Sequence, residues 1–399
     1  MARGFRGINF PWWEPIMPQI SNHASALQEA VSVRYNNAVY ELKRSGQDII
    51  VLSLGEAFFE LPPVSLDGLP HPEGLHYSHS RGVPELRERV ALYYRKTYGV
   101  NVDPDNEILF TSGSKAAIYF SMMAVLNPGD DVLIPEPMWV SYPEQARLCL
   151  ANPITIPFPS KISDFERYLT DKTRLLIINN PNNPTGYVYS KRELQYLADL
   201  ARANDIYLLS DEAYSDFLVN DEFVSAGRLD NTKSHTIVCN SISKNLGISG
   251  WRIGYAISNS QLIHQLLKIN QHVITCPATN LQHYLVQNFD SLIQTTSPQI
   301  THVVKKRAVV AEYLQSQSLE YVTGTAGFYL FVSIAPSLMD SERFALRLLH
   351  EHQVCAVPGI GYGPSCDKFI RLSVGSEPLE RIYRGIDAIK RLIAETCHA

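Results

Sequence analysis

Residues 240–255 read NSISKNLGISGWRIGY, and they place Lys244 and Arg252 among serines, asparagines and glycines with hardly an acid nearby. Lysines and arginines ordinarily sit on solvated faces beside opposite charges. Two cations in a neutral, turn-forming stretch therefore point to an anionic partner from outside the protein. In EILFTSG followed by SKAAI, the residues Ser112, Gly113 and Ser114 fall at a strand-to-helix turn. Free N–H groups and the helix dipole attract a phosphate at such a turn, although a plain serine cap after a glycine has the same sequence. In NNPNNPTG (179–186), Asn182 and Asn183 lie between two prolines directly after an apolar run. There they either build an Asx turn or aim an amide at a ligand. In LLSDEAY, Asp211 ends another apolar run, and a buried carboxylate needs a cation or a donor, from a ligand or from a core arginine.

One ligand class meets all of these demands. A lysine amine condenses with an aldehyde, and pyridoxal phosphate (PLP) carries that aldehyde together with a phosphate, a phenolic oxygen and a pyridine nitrogen. Lys244 would take the aldehyde. Gly113, Ser114, Ser241 and Arg252 would surround the phosphate, and Asp211 would pair with the protonated ring nitrogen. Asn183 and Tyr214 would face the phenolic oxygen, and Trp139 would stack on the ring. In this arrangement the adjacent cation is expected to depress the pKa of Asp211.

The elements that must position these residues follow a regular pattern. Helical spacing covers 27–45, and DIIVLSLG (48–55) reads as a buried strand ending in glycine. Helices are expected at 83–99, 114–126, 139–149 and 190–204, and strands at 107–113, 131–137, 154–158, 174–180, 206–213, 235–243 and 254–258. Short, apolar, β-branched strands alternating with amphipathic helices predict an α/β fold with a mostly parallel sheet covered on both faces. In such sheets ligands bind beyond the carboxyl ends of the strands, and Gly113, Asn183, Asp211 and Lys244 all follow apolar strands. The last ninety or so residues change character, with strands at 328–333 and 368–373 beside helices at 341–351 and 377–395. The organisation expected is an N-terminal arm (1–30), a segment of a smaller α+β domain (31–65), a large PLP-binding domain (66–310) and the rest of the small domain (311–399).

The stretches HYSHSRGVPELRE (76–88), TSGSKAA (111–117), PEPMWVSYPE (135–144), NNPNNPTG, SDEAY (210–214), SISKNLGISGWRIGY (241–255) and FIRLS (369–373) together resemble the class I/II aminotransferase family of fold-type I PLP enzymes. Its aspartate aminotransferase branch is the most similar, and the resemblance runs from about residue 33 to the end. It implies a large domain built on a sheet of the seven-stranded type. It also implies Lys244 as the cofactor lysine and general acid/base, Asp211 as the pyridine partner, and Asn183 and Tyr214 on the phenolic oxygen. Trp139 becomes the stacking ring, also beside the substrate, and Ser241 and Arg252 become phosphate ligands. Arg371 is the clamp on the substrate α-carboxylate, a task that suits the planar guanidinium. Gly55 matches a glycine whose backbone approaches that carboxylate, and Tyr77 a tyrosine that reaches the phosphate of a neighbouring subunit, which implies a homodimer. Lys115 matches a lysine that contacts either the cofactor or the distal carboxylate of an acidic substrate.

The implied reaction moves the amino group of an L-amino acid to a 2-oxo acid in two half-reactions, a ping-pong scheme. A PLP-dependent lyase or cyclase shares the fold and cofactor residues, and a catalytically inactive PLP-binding regulatory protein is a third reading, against which the intact Lys244 and Arg371 stand. The chain departs from the family pattern where GEPDF becomes GEAFF (55–59) and in an N-terminal extension bearing Trp12 and Trp13. An aromatic lid from that arm would extend the substrate range from acidic to aromatic amino acids.

Composition agrees with this class. The 399 residues exceed what a single core usually serves. A net charge of −5 with scattered Lys and Arg offers no basic field for nucleic acid. No run reaches membrane-span length. The six cysteines are widely spaced without CxxC or Cys/His clusters, so neither a metal site nor a disulfide framework is indicated and a reduced, cytoplasmic setting is expected.

Overall fold

The computed structural model describes residues 18–65, 67–219 and 222–397. Trp12 and Trp13 of the expected arm lie outside the described residues. The first strand, β1, is short (Ile50–Val51), because pairing with a distant segment and not apolar character sets its length. The main sheet follows: β2 (Ile108–Thr111), β3 (Asp131–Pro135), β4 (Asn152–Ile156), β5 (Thr173–Asn179), β6 (Tyr207–Asp211), β7 (Thr236–Ser241) and β8 (Gly254–Ile257). Among the described residues these seven form one sheet in the order β2-β8-β7-β6-β5-β3-β4. Only β8 runs antiparallel to its neighbours.

The strands are apolar on both faces because both faces are covered. Leu109, Val132, Leu175, Leu209 and Ile237 pack with Ile118, Phe120 and Leu266 on one side. Their alternates pack oppositely: Phe110 and Val238 against Leu86, Val90 and Tyr94, and Leu176, Ile178 and Leu208 against Leu194 and Leu197. Local signals fix the covering helices. Proline opens Pro84–Tyr98, which stops at Gly99 with φ 66°, and Ser190 and Glu193 form a capping box at the start of Lys191–Ala203.

The later strands are β9 (Tyr329–Ser333), β10 (Val354–Cys355), β11 (Val357–Pro358) and β12 (Phe369–Ser373). β11, β12 and β9 form an antiparallel sheet, and β1 pairs with β10 in parallel. Helix Val31–Arg44 joins them through Tyr35 and Val39, which pack with Ile49, Val51, Leu349 and Cys355.

Two helices fill the stretch between β8 and β9 for which periodicity gave no reading, Ser260–Val273 and the 38-residue Thr279–Ser316. The second carries Pro298 inside it, a residue that reads as a stop, yet Ile300, Val303, Val304, Val310 and Leu314 continue a buried stripe beyond it. Its first half packs with the core beside β2 and β8, its second with β9 and β12. The six cysteines are unpaired, and no described helix is long and apolar enough to cross a membrane.

Candidate active site

β2, β5, β6 and β7 all end on one side of the main sheet, and β8 begins there: Gly254 is opposite both Thr111 and Ser241. A Cβ on Gly254 would lie 2.2 Å from the Ser114 nitrogen, so this approach of backbone to backbone requires glycine. A cavity of about 450 Å³ opens above these ends. Gly55, Ser114, Lys115, Trp139, Asn183, Asp211, Tyr214, Ser241, Lys244, Arg252 and Arg371 all line it, and Gly113 precedes Ser114 at its edge. Tyr77 does not join them; it is 85% exposed on the surface.

β7 ends at Ser241, whose Oγ accepts from the Ser243 N–H and starts the single helical turn Ile242–Asn245. That turn delivers Lys244 to the cavity, where its Nζ donates to the Gly55 carbonyl over 2.5 Å. Burial above all, with Arg371 and Arg252 adding to it against the pull of Glu56 and Asp211, lowers the Lys244 pKa to about 8. Glu56 itself accepts from Ser249 Oγ at 2.6 Å.

Helix Ser114–Val125 is N-capped by Gly113 at φ 81°, with no side-chain capping bond. The serine-cap alternative therefore fails, and the first-turn N–H groups keep their affinity for an anion. Two cations stand beside this terminus. Arg252 is exposed, sits at φ 54° and donates to the Ser249 carbonyl at 2.8 Å. Lys115 is also exposed and holds its Nζ 5.1 Å from the Trp139 ring centroid.

At the end of β5 the two asparagines divide the roles. Asn182 Oδ1 accepts from the Thr185 N–H and Oγ1, at 3.1 and 2.7 Å, and so makes the turn. Asn183 is aimed inward: its Oδ1 accepts from Arg371 Nη1 at 3.3 Å and its Nδ2 donates to Tyr214 Oη at 3.4 Å. Because a guanidinium only donates, the amide oxygen must be the atom that faces it.

Asp211 is buried, but its partner is neither a core arginine nor a lysine. Tyr142 Oη donates to Oδ2 at 2.7 Å and the Ala213 N–H to Oδ1 at 3.2 Å. Among the protein's own groups burial outweighs both hydrogen bonds and Lys244 and pushes Asp211 up to about 6, a rise that a protonated ring nitrogen beside the carboxylate would oppose. The nearby Lys244 amine pulls the other way but is the smallest of these effects.

Arg371, on β12 and 3% exposed, has no carboxylate partner among the described residues. Nη2 donates to the Ser53 carbonyl at 2.6 Å, and buried Nε has no partner. Tyr329 and Tyr362 flank the guanidinium, with ring centroids 4.4 and 5.6 Å from its carbon. Sequence reasoning missed Tyr142, Tyr329 and the mouth residues Ser32, Val33 and Asn36 of helix Val31–Arg44. For Tyr142 a signal was present, since PEPMWVSYPE places it three residues after Trp139 in a stretch already singled out.

The sequence matches the family "Aminotransferase class I and II" over residues 48–389. It is 32% identical to the aspartate/prephenate aminotransferase of Thermus thermophilus over 391 residues, 94% of this chain and 99% of that protein. It is 30% identical to aromatic-amino-acid aminotransferase 2 of Thermococcus litoralis over 90% of this chain and 95% of that one. The solved structure of the Thermus thermophilus aspartate aminotransferase with maleate superposes with a TM-score of 0.85 at 30% identity, over 94% of this chain and all of that one.

Proposed function

The chain belongs to the class I and II aminotransferases, PLP-dependent enzymes of fold type I, and from that premise we propose the roles of its residues and the amino acids it takes. The relatives are transaminases, which favours transamination over the lyase and regulatory alternatives. The observation that carries the reading is Arg371, a buried guanidinium with no carboxylate partner among the described residues, which lines the same cavity as Lys244. A buried cation left unpaired is costly, and the α-carboxylate of an amino or 2-oxo acid supplies the missing charge in a bidentate geometry.

The cofactor fits the donor set. The uncapped helix terminus at Ser114, with Ser241 and Arg252 beside it, would hold the phosphate. Asp211 would hold the ring nitrogen, Asn183 and Tyr214 the phenolic oxygen, Trp139 the ring face and Lys244 the aldehyde carbon. PLP, when bound, supplies an aldehyde for amines and a protonated pyridine that withdraws electrons from the substrate α-carbon.

The chain's own part is to bind, orient and move protons. Arg371 fixes the carboxylate and thereby the direction of the α-hydrogen. Lys244, once its amine is free, takes that proton and passes it on; a pKa near 8 leaves it mostly protonated at physiological pH but with a far larger neutral fraction than an ordinary lysine has. Tyr142 and the Ala213 N–H keep the Asp211 carboxylate aimed into the site.

Dicarboxylic amino acids are the preferred substrates in this reading, with tolerance of aromatic ones. Lys115 and Arg252 give the mouth positive charge, Val33 and Trp139 give it apolar surface, and the two curated relatives above are named for aspartate/prephenate and for aromatic amino acids. The working unit is a homodimer. Tyr77, 85% exposed beside the 71% exposed Leu75, is free to reach a second copy. Mixing Tyr77→Phe with Lys244→Ala subunits restores activity if the tyrosine acts across subunits. The chain divides into a large domain (66–310) and a small one (31–65 with 311–399), with the helix Thr279–Ser316 running through both. Its unpaired cysteines suit the cytoplasm.

The test is a half-reaction screen. Each amino acid is mixed with the loaded enzyme and the long-wavelength absorbance is followed. Fast loss with aspartate or glutamate, slower loss with phenylalanine and regain on adding a 2-oxo acid are expected. Release of ammonia without regain would instead establish a lyase.

A further inference from the structure

Tyr329, absent from every motif above, touches both halves of the site. It lies on β9 at 2% exposure and lines the cavity. In the antiparallel register Tyr329 is opposite Ser373 and Phe331 opposite Arg371, so Tyr329 and Arg371 share a face as diagonal neighbours. The ring stacks on the guanidinium at 4.4 Å. Its hydroxyl meets Tyr214 Oη at 3.0 Å, where either oxygen is able to donate. Gly55 lies beside that hydroxyl, where a Cβ would make an ordinary van der Waals contact at 3.4 Å.

Hydrogen-bond accounting shows what each direction of the contact would do. Arg371 donates to Asn183 Oδ1 and Asn183 donates to Tyr214 Oη. A phenol has one proton and two lone pairs. With one lone pair of Tyr214 taken by Asn183, donation from Tyr329 fills the other and leaves the Tyr214 proton free to point into the cavity. The reverse arrangement spends that proton on Tyr329.

We propose that Tyr329 is a positioning residue with two separable duties: its ring is the shelf that holds Arg371 for the substrate carboxylate, and its hydroxyl orients and polarises Tyr214 as a donor to the bound cofactor. The proposal rests on the roles given above to Arg371 and Tyr214. Neighbouring hydrogen bonds polarise one another in a water-poor site, so Tyr214 donates more strongly when Tyr329 donates to it.

The two duties separate by substitution in the loaded enzyme. Tyr329→Phe keeps the shelf and removes the hydroxyl; Tyr329→Leu removes both. One readout is the pH titration of the absorbance of Lys244-bound cofactor. A weaker Tyr214 donor stabilises the cofactor's oxygen anion less, so the neighbouring proton is held to higher pH and the midpoint moves upward in both variants. The other readout is the dissociation constant of maleate and of propionate, carboxylates without an amino group. It stays within about twofold for Tyr329→Phe and rises about 3- to 30-fold for Tyr329→Leu, the range of a desolvated cation–π contact. Wild-type midpoints and affinities in both variants would overturn the proposal. So would equal losses in both readouts for both variants, which describe a packing residue. Arg371→Ala and Tyr214→Phe in parallel separate the premises: if the first leaves the carboxylate affinities and the second the midpoint at wild-type values, the roles given to Arg371 and Tyr214 fall; if both shift and the Tyr329 variants are normal, only this proposal falls.

Discussion

Gly113 and Arg252 are packed so closely that a Cβ on residue 113 would lie 2.4 Å from Arg252 Nη2. Gly113 also holds φ 81° and ψ 162°, a conformation nearly restricted to glycine that costs another residue ~1–3 kcal/mol. The absence of a side chain at 113 thus admits the guanidinium to the uncapped helix terminus. Arg252→Ala is expected to weaken cofactor retention about tenfold, near the lower end of the ~1.5–3 kcal/mol of a hydrogen bond to a charged group, because Arg252 is exposed. Gly113→Ala does the same by displacing the arginine. Placed on Arg252→Ala, the glycine substitution costs only its backbone strain, so the two are strongly non-additive. Equilibrium dialysis of PLP against the four proteins checks this, and additive losses would separate the residues.

Lys244→Ala removes the amine that both anchors the cofactor and shuttles the proton, so turnover falls by at least the ~10²–10⁴-fold of a positioned acid–base group. In the wild type the free amine is the nucleophile, and its pKa of about 8 sets how fast the apoprotein captures cofactor. The capture rate rises with pH up to about 8 and flattens above it. Stopped-flow absorbance between pH 6 and 10 measures this; a limb continuing to 10 would place the amine in ordinary solvent.

The cofactor half of the site was legible because each of its residues follows an apolar strand within a short motif, so local sequence sets its position: Gly113 after β2, Asn183 after β5, Asp211 at the end of β6, Lys244 after β7. Residues arriving from afar were legible only where the family resemblance named them, as for Arg371 and Gly55. Tyr142 reaches Asp211 across 69 positions and Tyr329 reaches Tyr214 across 115, and no spacing rule links residues so far apart. The upward pull that burial exerts on Asp211 was not legible for a related reason. Charge partners are visible in a motif, whereas the depth of burial that outweighs them is set by the whole fold.

Glu212, next to Asp211, is fully buried, and desolvation pushes it up to about 8 against the Ser225 Oγ and Ala226 N–H that donate to Oε1 at 3.0 and 2.9 Å. A carboxyl whose folded pKa exceeds its unfolded one contributes stability that is complete below about 4.5 and lost as pH rises through about 8. Asp211 acts in the same sense between 3.8 and about 6, so pH 6 to 9 isolates Glu212. Glu212→Gln keeps the accepting oxygen and turns an amide toward the neighbouring Ser210 Oγ. Its melting temperature relative to wild type is therefore expected to climb from pH 6 to about 8 and to level off above that. Parallel melting curves across that window would show that Glu212 ionises without cost.

Lys115 opens the helix Ser114–Val125, where a cation opposes the positive end of the dipole. Partial desolvation and the nearby Arg252 both lower its pKa, so the protein tolerates a second cation at an unfavourable place. Trp139 offsets part of this, with its ring 5.1 Å below the ammonium. An anion above the mouth would offset the rest, and the distal carboxylate of aspartate or glutamate is such an anion. The lysine is exposed, so its contact falls between the ~0.2–1 kcal/mol of a surface pair and the ~2–5 kcal/mol of a buried one. Lys115→Ala is accordingly expected to lower kcat/KM for aspartate and glutamate by roughly 3- to 30-fold. The effect on phenylalanine and alanine should be under about twofold, and the acidic-substrate effect should shrink with added salt as an exposed pair does. Equal losses on acidic and neutral substrates would assign Lys115 to the cofactor phosphate alone.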